Sequence, residues 1–212
     1  MRRKYQLPAY AALDHIRIDL ERLQQAADDL AYKYTDVCSA NPKLCEYHED
    51  LVDSVYDNFD QINLTEHNGL QEIGDPTESK KARLRRNQTI KEEGFYNKPT
   101  PEYIGSYFEE IVNQFSHPAM RVRITRLKPG TAIPLHIDYD PTYATRIIVP
   151  IYSNSHVINR FKIKKTEVSG YLEPGRAWFL NTGFAHGVEN LSRANRIALM
   201  FSLDGQDDLR NI

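Results

Sequence analysis

The feature that most constrains how this chain folds is its last apolar run, Arg196 to Leu203. Ile197, Leu199, Phe201 and Leu203 alternate there with Arg196, Ala198, Met200 and Ser202. Successive side chains of an extended segment point to opposite faces, so one face is strongly apolar and the other is small or apolar apart from the cation that begins it. Such a strand is covered on both sides and belongs inside a layered structure. Further extended runs precede it at Arg121 to Leu127, Thr131 to Asp138, Arg146 to Tyr152, Asn159 to Lys164 and Ala177 to Leu180. Lys128-Pro129-Gly130, Pro141, Ser153 to Ser155, Glu173-Pro174-Gly175 and Gly183 separate them. Short strands at this spacing predict a sandwich or barrel.

The first half reads differently. Leu13, Ile16, Leu20, Leu23, Ala27, Leu30 and Tyr34 recur at three- and four-residue steps. They predict an amphipathic helix that packs on the protein's own core rather than in a coiled-coil dimer. A second helix is expected from Leu44 to about Phe59 after the break at Asn41-Pro42, and a short strand at Gln61 to Thr65. A polar loop follows through Asn87, carrying Lys80, Lys81, Arg83, Arg85 and Arg86 with acidic residues on either side, which reads as a solvated segment. Thr100 as cap and Pro101 at the first helical position predict a third helix, with Ile104, Tyr107, Phe108, Ile111 and Phe115 buried.

Across 212 residues, 27 basic and 29 acidic side chains leave a formal charge of −2, which argues against a coat for nucleic acid. No apolar run is long enough for a membrane span or a signal sequence, so a cytosolic protein is expected. Cys38 and Cys45 match neither zinc nor thioredoxin spacing and read as free thiols.

Chemistry concentrates at His136-Ile137-Asp138. Two residues apart in extended chain, the two side chains share a face with Cα atoms roughly 6.5–7 Å apart, and both are able to bind one metal ion. His186, in Gly183-Phe184-Ala185-His186-Gly187-Val188, is the candidate third ligand. Two imidazoles and a carboxylate on one side of an octahedral ion leave adjacent positions open, the arrangement of non-haem Fe(II) oxygenases. Arg196 begins a strand otherwise built of apolar and small residues, where a buried guanidinium needs an anion; a carboxylate suits its planar fork.

Taken in order, Arg121 to Thr131, His136-x-Asp138, Arg146-Ile147-Ile148-Val149-Pro150-Ile151, Gly175-Arg176-Ala177-Trp178, His186-Gly187-Val188-Glu189-Asn190 and Arg196-Ile197 resemble the aspartyl/asparaginyl β-hydroxylase family of 2-oxoglutarate-dependent dioxygenases. The resemblance spans about residues 119 to 204, with an echo in Gln61 to Thr65. It implies an α+β protein in which N-terminal helices pack on a double-stranded β-helix, the cupin-like jelly roll. On that reading residues 1–118 are a helical region with a long polar loop, integral to the fold, and residues 119–212 are the catalytic core. The resemblance further implies Fe(II) held by His136, Asp138 and His186, with O2 as co-reactant. It pairs Arg196 with the distal carboxylate of 2-oxoglutarate beside the Thr125 hydroxyl, and brings Arg146 to a carboxylate of cosubstrate or substrate.

Asp138 is present where the animal members lack a carboxylate ligand, and Ile148 stands where they carry a histidine. The chain therefore looks more like the branch with bacterial hydroxylases of free amino acids. A small molecule or amino-acid residue bearing a carboxylate is the expected substrate, with neither nucleic acid nor a membrane as partner. A metal-binding cupin-like module without oxidation chemistry, or an oxygenase directed at a peptide or nucleic acid through Lys80 to Arg86, are the alternatives. Trp178 is expected in the core, and Asn181 and Asn190 are expected to satisfy turns beside His186 rather than to touch a ligand.

Overall fold

The structure is a computed structural model that describes residues 1–36, 58–69 and 92–212. The expected second helix up to residue 57, both cysteines and the Lys80 to Arg86 segment lie outside the described residues.

Alternation of side chains sorts the strands into two antiparallel sheets. The larger has the order β1-β11-β8-β13-β6-β3-β2, built from Tyr10–Ala12, Trp178–Leu180, Thr145–Tyr152, Arg196–Leu203, Ala119–Leu127, Phe59–Asn63 and Thr35–Asp36. The smaller has the order β10-β9-β12-β7, from Thr166–Gly170, Val157–Ile163, Ala185–Asn190 and Ala132–His136. A short pair, β4 (Thr65–Glu66) with β5 (Lys98–Pro99), stands apart.

β13 runs through the middle of the large sheet and is buried on both faces. Leu199, Phe201 and Leu203 join Ile147, Val149 and Ile151 of β8 and Val122 and Ile124 of β6 in one apolar cluster. α1 (Leu20–Asp29) and α2 (Tyr107–Val112) contribute Leu23, Ala27, Phe108, Ile111 and Val112 to the same cluster. The opposite face of the sheet carries Ala198, Ile148, Trp178 and Leu180, which pack with Phe161 of β9 between the two sheets. The result is a jelly-roll-like sandwich, mostly sheet with few helices.

Several elements differ from expectation. The helix predicted from Leu13 begins only at Leu20, capped by the Asp19 carboxylate, which accepts from Arg22 N. Leu13 and Ile16 are buried without being helical, because β1 is drawn onto β11 and the Leu13 N–H donates to Ala177 O. Sheet pairing overrides the helical spacing there. Residues 1–118 are thus not simply helical; they supply β1, β2 and β3 to the large sheet. Phe59, expected to end a helix, starts β3.

The third helix is capped by Ser106 rather than Thr100. Thr100 to Ile104 forms its own turn, Gly105 ends it at φ 72°, and Ile104 is left 64% exposed. β10 was not foreseen, since its residues are mostly polar and exposed and its turn places Lys164 at φ 57° without a glycine.

Asn190 satisfies turns, as expected, whereas the Asn181 side chain ties down the N-terminal segment instead of a turn beside His186. Asn190 Nδ2 donates to the carbonyls of Leu127, Lys128 and Ala194, and Asn181 Nδ2 to those of Lys4 and Pro8. Both asparagines are fully buried. Replacing Asn190 by Ala strands buried acceptors, and a loss of about 1–3 kcal/mol in urea unfolding is expected. Unchanged stability would contradict this account.

Candidate metal centre and active site

The inner face of the large sheet is unusually cationic. Strand alternation places Arg123 and Thr125 of β6, Arg146 and Ile148 of β8, and Arg196, Ala198, Met200 and Ser202 of β13 toward the small sheet. The register agrees, with Thr125 opposite Ala198, Arg123 opposite Met200 and Arg146 opposite Ser202. Arg123, Arg146 and Arg196 are all buried.

The small sheet answers with two histidines. His136, at the end of β7, lies directly opposite His186 of β12, and their rings sit 4.3 Å apart between centroids. A register shift between His186 and Val188 accompanies a close approach at Gly187, where an added Cβ would come within 2.6 Å of Ile133 O. Only glycine lets β7 come this near β12.

Asp138 follows the end of β7, its N–H on Thr182 O. Its carboxylate oxygens lie 3.9 Å from His136 Nε2 and 3.8 Å from His186 Nε2. One ligand atom from each of the three residues lies within 4.8 Å of the others. Sequence reasoning singled out this triad, and the fold brings it together.

The donor set fits a divalent metal. His136 Nδ1 is 2.9 Å from Pro134 O and His186 Nδ1 is 3.1 Å from Phe184 O. A proton on each Nδ1 satisfies the carbonyl and turns the Nε2 lone pair toward Asp138, as in the supporting shell of histidine metal sites. Bonds of about 2.1 Å place adjacent donors about 3 Å apart, so binding requires Asp138 to close on each imidazole by about 1 Å and the widest pair to close by less than ~2 Å.

Burial, with the nearby His136, lowers the His186 pKa from 6.5 to about 4 against the opposing pull of Asp138. The imidazole is held neutral, the form that binds metal.

Arg196 and Thr125 also meet, Nη1 donating to Oγ1 at 3.1 Å. Burial alone pulls the Arg196 pKa down to about 10, and no carboxylate of the described residues pairs with it. Arg146 meets carboxylates, but they are the protein's own. Its Nη2 donates to Glu93 Oε1 at 2.7 Å and lies 3.7 Å from Asp138 Oδ2. Arg123 donates to Arg121 O and lies 3.2 Å from Met200 Sδ. Burial and its neighbours Arg121 and Arg146 push its pKa well down.

Glu93 was missed from sequence, where it reads as one more acid beside a polar loop. Its only signal is the apolar Gly94-Phe95-Tyr96 that follows and pins it inward.

Residues 100–204 match the sequence model of the aspartyl/asparaginyl β-hydroxylase family. This segment, which holds the histidine–aspartate triad, Arg146, Arg196 and Thr125, belongs to that family. No curated protein matches the chain. Among solved structures, a 2OG-Fe(II) oxygenase family oxidoreductase from Burkholderia pseudomallei is similar at 11% identity, covering 69% of this chain and 68% of its own, with a TM-score of 0.41. A cupin domain from Bordetella pertussis Tohama I is similar at 17% identity over 43% of this chain and 88% of its own, with a TM-score of 0.33. Among the described residues no helix is long and apolar enough to cross a membrane.

The buried imidazole makes stability pH-dependent. Below pH 6.5 the unfolded chain protonates His186, whereas the folded chain does not until about pH 4. Stability of the metal-free protein therefore falls as pH drops through that window, by up to the order of 3 kcal/mol. Urea midpoints of wild type and His186→Gln measured across this range should converge in acid; parallel profiles would contradict the assignment.

Proposed function

We propose that the protein is an Fe(II)- and 2-oxoglutarate-dependent dioxygenase that hydroxylates a carboxylate-bearing small molecule or amino-acid residue. Its scaffold on this reading is a double-stranded β-helix with N-terminal helices packed on its outer face. The observation that carries the proposal is Arg196, a buried guanidinium with a hydroxyl partner and no carboxylate partner among the described residues, facing the same intersheet space as three converging metal-type ligands. An uncompensated buried charge costs several kcal/mol, so the site is built for an anion that arrives from outside.

His136, Asp138 and His186 would hold the metal. Bound with 2-oxoglutarate and O2, it supplies an oxidant able to hydroxylate an unactivated C–H bond. The chain's own part is binding, orientation and exclusion of water. Arg196 offers its planar fork to the distal carboxylate of 2-oxoglutarate, and Thr125 Oγ1 adds a hydrogen bond while it anchors the guanidinium. Ile148, Trp178 and Leu180 line the same inner face and keep it dry. Arg123 is a further buried cation on this face with no carboxylate of the described residues in hydrogen-bond contact, which supports an anionic group on the substrate. A metal-binding module without oxidation chemistry has no need of the Arg196–Thr125 pair.

Anaerobic titration with Fe(II) and 2-oxoglutarate should develop a metal-to-ligand charge-transfer band, followed by succinate release in a substrate screen. Folded His136→Ala, Asp138→Ala and His186→Ala variants should lose Fe(II) binding. Arg196→Leu should keep the metal and weaken 2-oxoglutarate by about 30-fold or more, the cost of losing one partner of a buried charged contact. Wild-type Fe(II) affinity in the triad variants, or undiminished 2-oxoglutarate affinity in Arg196→Leu, would sink the reading.

A further inference from the structure

Glu93 lies outside the segment matched by the family and outside every motif that points to the site, yet it is buried to 1% exposure beside it. It sits on the 3-10 turn Glu92–Phe95. Phe95 is buried, Phe95 O accepts from Asn68 N, and Tyr96 O accepts from both Thr65 Oγ1 and Arg121 N. The carboxylate therefore arrives on a scaffolded turn rather than a free side chain.

We propose that Glu93 is a positioning residue for the metal-binding carboxylate, acting through Arg146. The inference rests on reading His136, Asp138 and His186 as a metal site. Arg146 springs from the buried strand β8, and its Nη2 stands between two carboxylates, 2.7 Å from Glu93 and 3.7 Å from Asp138. The shorter contact holds the guanidinium; the longer one steers Asp138. Arg121, 3.7 Å from Glu93 Oε1, adds a second cation on the Glu93 side.

Asp138 lies just beyond the end of β7 with its N–H on Thr182 O, and its carboxylate faces Arg146 on one side and the two imidazoles on the other. The oxygen near Arg146, Oδ2, is also the one 3.8 Å from His186 Nε2. Without Glu93 the full charge of Arg146 turns to Asp138, and a close ion pair competes with a metal for that oxygen. With Glu93 in place, Arg146 is drawn back, and Asp138 keeps a donor at a distance that orients it without capturing it. Glu93 also pairs the inner-face arginine that stands against the triad, while Arg196 keeps no carboxylate partner among the described residues.

The test uses the full chain and Co2+, which needs no cosubstrate. Calorimetric affinity and the visible absorption of bound Co2+ are measured for wild type, Glu93→Gln and Glu93→Asp. Loss of a supporting contact of this kind typically weakens metal binding 10- to 100-fold. Glu93→Gln is accordingly expected to bind Co2+ at least about tenfold more weakly, with a changed spectrum, and Glu93→Asp to recover most of both. A purely structural ion pair would lower the unfolding midpoint and leave affinity and spectrum alone, and that result overturns the proposal.

Should Glu93→Gln not fold, Arg146→Gln is compared with the double variant Arg146→Gln/Glu93→Gln, which removes the pair together. Equal Co2+ affinity in the two supports action through Arg146; a further loss on adding Glu93→Gln overturns it. A wild-type protein that takes up no Co2+ is a different result, because it fails the metal reading itself.

Discussion

Charge on the inner face of a β-sandwich is the constraint around which this protein is organised. Arg123, Arg146 and Arg196 project from three neighbouring strands into the space between the sheets, where desolvation makes each guanidinium costly. Arg146 is hydrogen-bonded from within by Glu93, Arg123 meets a carbonyl and a thioether with Glu93 and Asp138 acting on it at longer range, and Arg196 meets one hydroxyl. Among the described residues no carboxylate is in hydrogen-bond contact with Arg123 or Arg196, and the apolar packing on the far side of the same sheet stabilises the fold that holds them.

That packing explains why the layers are unequal. The large sheet gives one whole face to Leu23, Phe108, Ile111, Leu199 and Phe201, a continuous apolar cluster that the helices complete. The intersheet cluster is smaller, with Ile148, Phe161, Trp178 and Leu180 at its centre. Stability thus resides mainly on the helix side, and the intersheet side is left to polar chemistry. The two histidines come from the small sheet, where Gly187 lets β7 and β12 close up and carbonyls two residues back set each ring. The fold itself thus sets the orientation of both rings.

The candidate site was largely legible in sequence because its signals are local. His136 and Asp138 share a face through strand spacing alone, and Arg196 stands out in a strand where every other residue is apolar or small. His186 required the ordered motif set, since nothing in the residues between them places it opposite His136. Arg146 was read as a receptor for an incoming carboxylate, and sequence held no sign that Glu93 would reach it first. Glu93 comes from a turn more than fifty residues earlier, with no periodicity to mark it. The N-terminal elements were read least well: Leu13 and Ile16 have helical spacing, but a hydrogen bond to the edge of β11 outweighs that weak local preference.

What the sequence determined by itself was the alternation that makes β13 a doubly covered strand, the run of extended segments around it, and the metal-type triad with an arginine needing an anion. These depend on side-chain character at short spacing, which any observer of the chain can read. The tertiary structure alone decided how the buried charges are shared: Glu93 on Arg146, Thr125 on Arg196, and Asp138 between Arg146 and the histidines. Those pairings join strands and a turn distant in sequence, and in a low-dielectric interior a difference of one ångström in distance settles which partner a guanidinium keeps.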